Sequence, residues 1–191
     1  MKRILLLATL ISGGFAAAEE RKDGVSPSGK IAWHVVQAGD NDASEVFISE
    51  ADQGESAAQK LCETVSVANT KVLVSPDDSW IIVQTGGASL GTSLIALRRE
   101  NGMTYQEDKE TDIGAAVLLA ACGGDQAKVD VIERAHTTWV GWAGDSKSLL
   151  VEVEAHGGKK TVGSFFAIYD LTTRKVGFDL TKFNQAGKAN P

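Results

Sequence analysis

Ser75-Pro76-Asp77-Asp78-Ser79-Trp80-Ile81-Ile82 is the stretch whose reading decides the fold. A proline that fixes φ and acidic residues that close a tight turn run straight into a strand-forming apolar segment. Trp80 to Thr85 is apolar on both faces, as an internal strand should be. A Gly-rich loop follows, then a second strand at Ser93-Leu94-Ile95-Ala96-Leu97. The same order recurs on either side. Upstream, Ser26-Pro27-Ser28-Gly29-Lys30-Ile31-Ala32-Trp33 opens a strand over Ile31 to Gln37, a loop at Ala38-Gly39-Asp40-Asn41-Asp42 and a strand at Glu45-Val46-Phe47-Ile48. Downstream, Gly144-Asp145-Ser146-Lys147-Ser148 opens a strand in which Leu149, Val151 and Val153 alternate with Glu152 and Glu154. A loop at His156-Gly157-Gly158 and an apolar run from Phe165 to Tyr169 complete it. The intervals are about fifty and about seventy residues.

The repeat resembles the blades of bacterial β-propellers of the TolB-like kind, where Ser-Pro-Asp-Gly-Lys opens the corresponding turn. The resemblance covers most of the chain and implies blade-like units near 26–67, 72–107 and 138–178. Propellers close with typically four to eight blades, and three units do not readily close a ring. An open sheet, a β-sandwich, or half of an assembly completed by a second copy all remain open. The expected class is mainly β and antiparallel, in one domain over 19–191. One stretch departs from it. Thr111-Asp112 can cap a short helix around 112–122, Ala/Leu-rich and ended by Gly123-Gly124, which lengthens the second interval.

The N-terminus reads as an export signal over 1–18. Lys2 and Arg3 precede an apolar run from Ile4 to Phe15, and Ala16-Ala17-Ala18 offers a cleavage site before Glu19. That run is shorter than the ~20 residues that span a bilayer, so no membrane span is expected, and the location expected is the periplasm or outside a bacterial cell. With Lys2 and Arg3 gone, 17 basic residues face 25 acidic ones, a formal charge of −8. Such a surface repels nucleic acid and favours a basic protein partner. In an oxidising compartment, the pair Cys62 and Cys122 is expected as a disulfide.

The sharpest catalytic pattern is Gly87-Ala88-Ser89-Leu90-Gly91, which satisfies the Gly-x-Ser-x-Gly elbow of α/β-hydrolases. Read that way, Ser89 is the nucleophile, His156 the base and Asp145 its orienter, and Thr92 to Arg99 is the helix after the elbow. Size and pattern oppose it: the residues before Ser89 read as strands, not as alternating strand and helix, and the pattern also suits a glycine hairpin loop. His34, His136 and His156 lack ligand spacing, the acidic segment Glu100 to Asp112 lacks calcium-loop spacing, and no phosphate-loop or dinucleotide pattern occurs. No metal and no cofactor is expected.

What remains is an exported, non-enzymatic binding module. Trp139 and Trp142 flank Gly141 and are candidate binding anchors, although strand-core packing is the commoner role for tryptophan. Bacterial lysozyme inhibitors are similar in size, export and β content, and some carry Ser-Gly-x-x-Tyr. Here Asn101-Gly102-Met103-Thr104-Tyr105 comes near it, with Asn in place of Ser. Asn101 and Tyr105 therefore join the candidate surface, and a basic envelope enzyme such as lysozyme is the candidate partner.

Overall fold

The computed structural model describes residues 20–37, 43–54, 57–87, 91–157 and 160–183. They are mainly β, arranged as three antiparallel meanders of four strands. The first is β1 (Arg21–Val25), β2 (Ile31–Gln37), β3 (Ser44–Glu50) and β4 (Gln59–Thr64). The second is β5 (Lys71–Val74), β6 (Trp80–Gly87), β7 (Gly91–Asn101) and β8 (Thr104–Glu107). The third is β9 (Arg134–Trp142), β10 (Ser148–Gly157), β11 (Lys160–Asp170) and β12 (Lys175–Gly177). A single parallel pair, Thr92 with His136, joins the second and third units into one eight-stranded sheet.

The turn between the first two strands of each unit is built to one plan. Gly29, Asp78 and Ser146 occupy the left-handed region at φ 77°, 60° and 58°. Their amides donate to the carbonyls of Ser26, Ser75 and Ala143 at 2.9, 3.0 and 3.1 Å. The amides of Ser26, Ser75 and Ala143 in turn donate to the carbonyls of Ile31, Trp80 and Ser148. Inside each turn a side-chain oxygen of Ser28, Asp77 or Asp145 accepts from the amide of Lys30, Ser79 or Lys147. Glycine and small polar residues recur here because the left-handed backbone penalises larger side chains.

Strand alternation then decides the packing. On β6, Ile81 and Val83 point to one cluster with Ile31, Val35, Val46 and Ile48 of the first unit. Trp80 and Ile82 point the other way, to a cluster with Leu149, Val151, Val153 and Tyr169 of the third. That is why this strand reads as apolar on both faces. Matched by their turns, the outward faces of the stack differ: His34 stands where the other units have Val83 and Val151, and Glu152 where the first has Val35. The outward faces carry these polar residues, but on the third unit Phe166, paired with Glu152, is exposed beside them.

Between β8 and β9 lie α1 (Ile113–Ala121) and the short α2 (Gln126–Val129). Asp112 caps α1 by accepting from the Ala115 amide at 2.9 Å, and Gly123 and Gly124 end it at φ 69° and 80°. Ile113, Val117 and Leu118 wedge into the cluster between the second and third units.

The disulfide expected between Cys62 and Cys122 is not formed; both thiols are free. Cys62, on β4, packs against the cluster between units one and two. Cys122 ends α1, which packs into the cluster on the opposite face of β6, so the second unit holds the two apart. Burial, with the charges of Glu107 and Glu63, pushes the Cys62 thiol up to about 12, which keeps it protonated and unreactive at neutral pH. The stretch from Thr92 to Arg99 is also not a helix but part of β7.

Candidate functional site

Gly87 and Gly91 pair with each other across the β6–β7 hairpin. A nucleophile elbow needs a strand followed by a helix; here a strand is followed by its antiparallel partner. Gly91 has a close-packing reason for being glycine. Its φ is +84°, and a Cβ there would lie 2.8 Å from the Ala135 carbonyl oxygen on β9. Ser89 lies outside the described residues. The other two members of the sequence-derived triad are far apart. Asp145 sits in the turn before β10, and His156 is near the strand's far end, ~26 Å away over eight residues from Ser148. Asp145 is occupied in its own turn, accepting from the Lys147 and Ser148 amides and the Ser148 hydroxyl. Burial pushes its carboxyl up, but those bonds and the Lys147 charge outweigh it and hold it below the usual range.

The proposed binding anchors are also placed elsewhere. Tyr105 is 5% exposed, and its hydroxyl donates to the Asp78 carbonyl, tying β8 to the β5–β6 turn. Asn101 is exposed at the β7–β8 turn, beside Gly102 at φ 47°. Trp139 and Trp142 pack against the cluster between the second and third units, with both indole nitrogens buried. They pack into the interface between units while remaining partly exposed. Of the histidines, His34 stacks on Phe47 at 5.0 Å, while His136 and His156 meet edge to face at 6.1 Å.

A concavity of about 640 Å³ lies along the outer edge of the second unit. It is lined by Arg98, Arg99, Glu100, Gln106, Glu107, Asp108, Lys109, Glu110 and Arg174. The arginines are engaged inward. Arg98 lies over the Trp80 ring and Arg99 over the Tyr105 ring, each at 5.9 Å, and Arg99 also donates to the Gly102 carbonyl. Arg174, left-handed at φ 56° in the β11–β12 turn, reaches across to Asp108 at 3.1 Å and Glu110 at 2.6 Å. Burial pushes the Asp108 carboxyl up, but the Thr111 hydroxyl, Arg174 and the Glu110 amide bring it below its usual range. Glu100 and Glu107 have no ion-pair partner among the described residues, and neither do Arg98, Arg99 and Lys109. The lining is therefore balanced in formal charge and presents unpaired groups of both signs to whatever enters it. The sequence showed only half of this, an acidic segment with solvated spacing; Arg174 arrives from 64 residues beyond Glu110, with no local signal.

No family model matches the chain, and no curated protein matches it. Among solved structures it is similar to the β-propeller domain of the Trilobed protease from Pyrococcus furiosus, at 12% identity and a TM-score of 0.47, over 82% of this chain and 41% of that one. It is also similar to the putative TolB from Agrobacterium tumefaciens, at 14% identity and a TM-score of 0.41, over 83% and 45%. The chain spans less than half the length of either.

Proposed function

We propose that the chain is an exported, non-enzymatic binding module that offers the groove along β8 to a basic protein partner. The observation carrying this reading is the division of charge in the groove: arginines turned onto Trp80, Tyr105, Asp108 and Glu110, with Glu100 and Glu107 left to solvent. Small-molecule sites are concave and mostly apolar. A wide groove lined almost wholly by charged side chains suits a charged protein surface, where complementarity sets on-rate and specificity. The groove's own charges balance, and the chain's formal charge of −6, or −8 without the leader, supplies the acidic field around it. Basic wall-degrading enzymes, lysozyme among them, are the partner class of first choice in the envelope. Recognition does not run through Tyr105, which is buried, so an inhibitor would work through the groove.

The test is affinity capture from envelope extract with immobilised mature chain, run beside the Glu100→Lys/Glu107→Lys variant. Neither side chain makes an internal ion pair, so the reversal spares the fold. Basic proteins retained by the wild type and lost from the variant are expected. Equal retention by both would remove the groove from the mechanism. Covalent labelling of Ser89 by a fluorophosphonate, lost in Ser89→Ala, would overturn the non-enzymatic reading.

A further inference from the structure

A second, smaller depression of about 200 Å³ differs in kind from the mixed-charge groove. It is lined by Ala68, Asn69, Lys71, Gln84, Gly86, Thr92 and His136, with no carboxylate among them. In a chain with 25 acidic residues, a depression walled only by neutral and cationic polar groups is notable in itself. Its position follows from topology. Lys71 pairs with Gln84, Gly86 with Thr92, and Thr92 with His136, so β5, β6, β7 and β9 all contribute where the second and third units join.

Donating capacity remains after the internal contacts are counted, with one donor of the Thr92–His136 pair spent on the other. The Gln84 carboxamide oxygen accepts from the Trp139 amide at 3.0 Å, which commits the oxygen and leaves the NH₂ group. The Thr92 hydroxyl and His136 Nδ1 lie 3.4 Å apart, and the edge of His156 braces the His136 ring. His156 in turn sits 3.3 Å from Glu154, so the nearby carboxylate already faces an imidazole. Lys71 is exposed and has no carboxylate partner among the described residues. The loop that supplies Ala68 and Asn69 is fixed by Lys22, whose ammonium donates to the carbonyls of Val67, Ala68 and Thr70 at 3.0–3.1 Å.

We propose that this depression is an oxyanion-binding subsite that takes a carboxylate or phosphate group. Lys71 supplies the charge; Gln84, Thr92, Asn69 and His136 supply directed hydrogen bonds. Its volume equals roughly seven waters at ~30 Å³ each, enough for one such group and a partial hydration shell but not for a large organic body. This subsite is independent of the groove along β8, because the residues of the two regions do not overlap.

The test is titration of isotope-labelled mature chain, at constant ionic strength set with chloride, with inorganic phosphate in one arm and acetate in the other. Amide resonances are followed by NMR. Saturable shifts centred on Lys71, Gln84, Thr92 and His136 in either arm support the subsite. Phosphate alone, acetate alone or both identify the group it prefers. Lys71→Gln, an exposed change that spares the fold, is expected to weaken the effective anion at least fivefold, and Thr92→Val to weaken it as well. Shifts that stay linear and scattered over the surface, absence of shifts in both arms, or affinity unchanged in Lys71→Gln would overturn it.

Discussion

Ser28 and Asp78 come from equivalent turns of the first and second units, and their contact offers a sharp test of how the units are joined. Asp78 is 2% exposed, and the Ser28 hydroxyl lies 2.8 and 2.7 Å from its two carboxylate oxygens. A hydrogen bond to a charged group is worth about 1.5–3 kcal/mol, and a buried acceptor stripped of its donor costs at least that. Ser28→Ala is therefore expected to destabilise the mature chain by about 2 kcal/mol. At ~2–4 °C per kcal/mol for a chain of this size, Tm should fall by about 4–8 °C. Ser28 Oγ also accepts from the Lys30 amide at 3.1 Å and lies 2.9 Å from Ser26 Oγ, so the single substitution mixes several losses. A double-mutant cycle with Asp78→Gly separates them. Glycine tolerates the φ of 60° at this position, so the turn survives while the acceptor goes. Urea denaturation of all four proteins, with m-values compared, should give a coupling energy of about 1 kcal/mol or more. If Ser28→Ala costs the same in both backgrounds, within ~0.3 kcal/mol, the contact does not join the units and the reasoning fails.

Three further outcomes follow from particular residues. Gly91→Ala should lower stability by about 2–3 kcal/mol in thermal or urea unfolding, because the new Cβ meets the Ala135 carbonyl and the backbone is left-handed; a neutral result would mean that β9 does not approach the hairpin. Chain prepared without reductant should show two thiols in denaturant by Ellman titration, with Cys62 resisting iodoacetamide while folded, at its pKa of about 12; a count of zero would restore the disulfide. Asp77, Asp108 and Asp145 all titrate below their ordinary value in the folded state. The unfolded chain therefore binds protons first on acidification. Their contribution is complete above about pH 4, the unfolded carboxylate range, and is lost as pH falls through the lower folded values. Urea midpoints should drop steeply below about pH 4 and less so in Asp145→Asn; a flat acid limb would contradict the turn bonding.

The repeated turns were legible because left-handed positions demand Gly or a small polar residue, a local requirement written into Ser26–Lys30, Ser75–Ser79 and Gly144–Ser148. Apolar runs made β2, β3, β6 and β11 readable, and alternation did so for β10, for the same local reason. The first strand of the chain was not. β1 reads Arg-Lys-Asp-Gly-Val, with alternating exposed and half-buried positions, and its residues serve in contacts elsewhere: Arg21 binds Asp23, and Lys22 binds the carbonyls of the Val67–Thr70 loop. Such an edge strand carries no apolar run to find. β8 and β12 are too short, at four and three residues, for any periodicity. The even cysteine count suggested a bridge, but only tertiary packing decides whether two thiols share a face. The groove was the least legible feature, since it needs Arg174 to cross 64 residues of sequence to meet Glu110. The same holds for the oxyanion depression, whose Lys71 and His136 line one hollow only because β9 pairs beside β7 at Thr92.

Binding through Glu100 and Glu107 is tested most directly by the affinity of a captured basic partner for the mature chain, measured by calorimetry at low and high salt beside Glu100→Lys/Glu107→Lys. Attraction between charged surfaces falls as the screening length shrinks from about 10 Å at 0.1 M to about 3 Å at 1 M. Affinity at least tenfold weaker at high salt, and weaker again in the variant at low salt, is the predicted result. Affinity indifferent to both salt and charge reversal would contradict it.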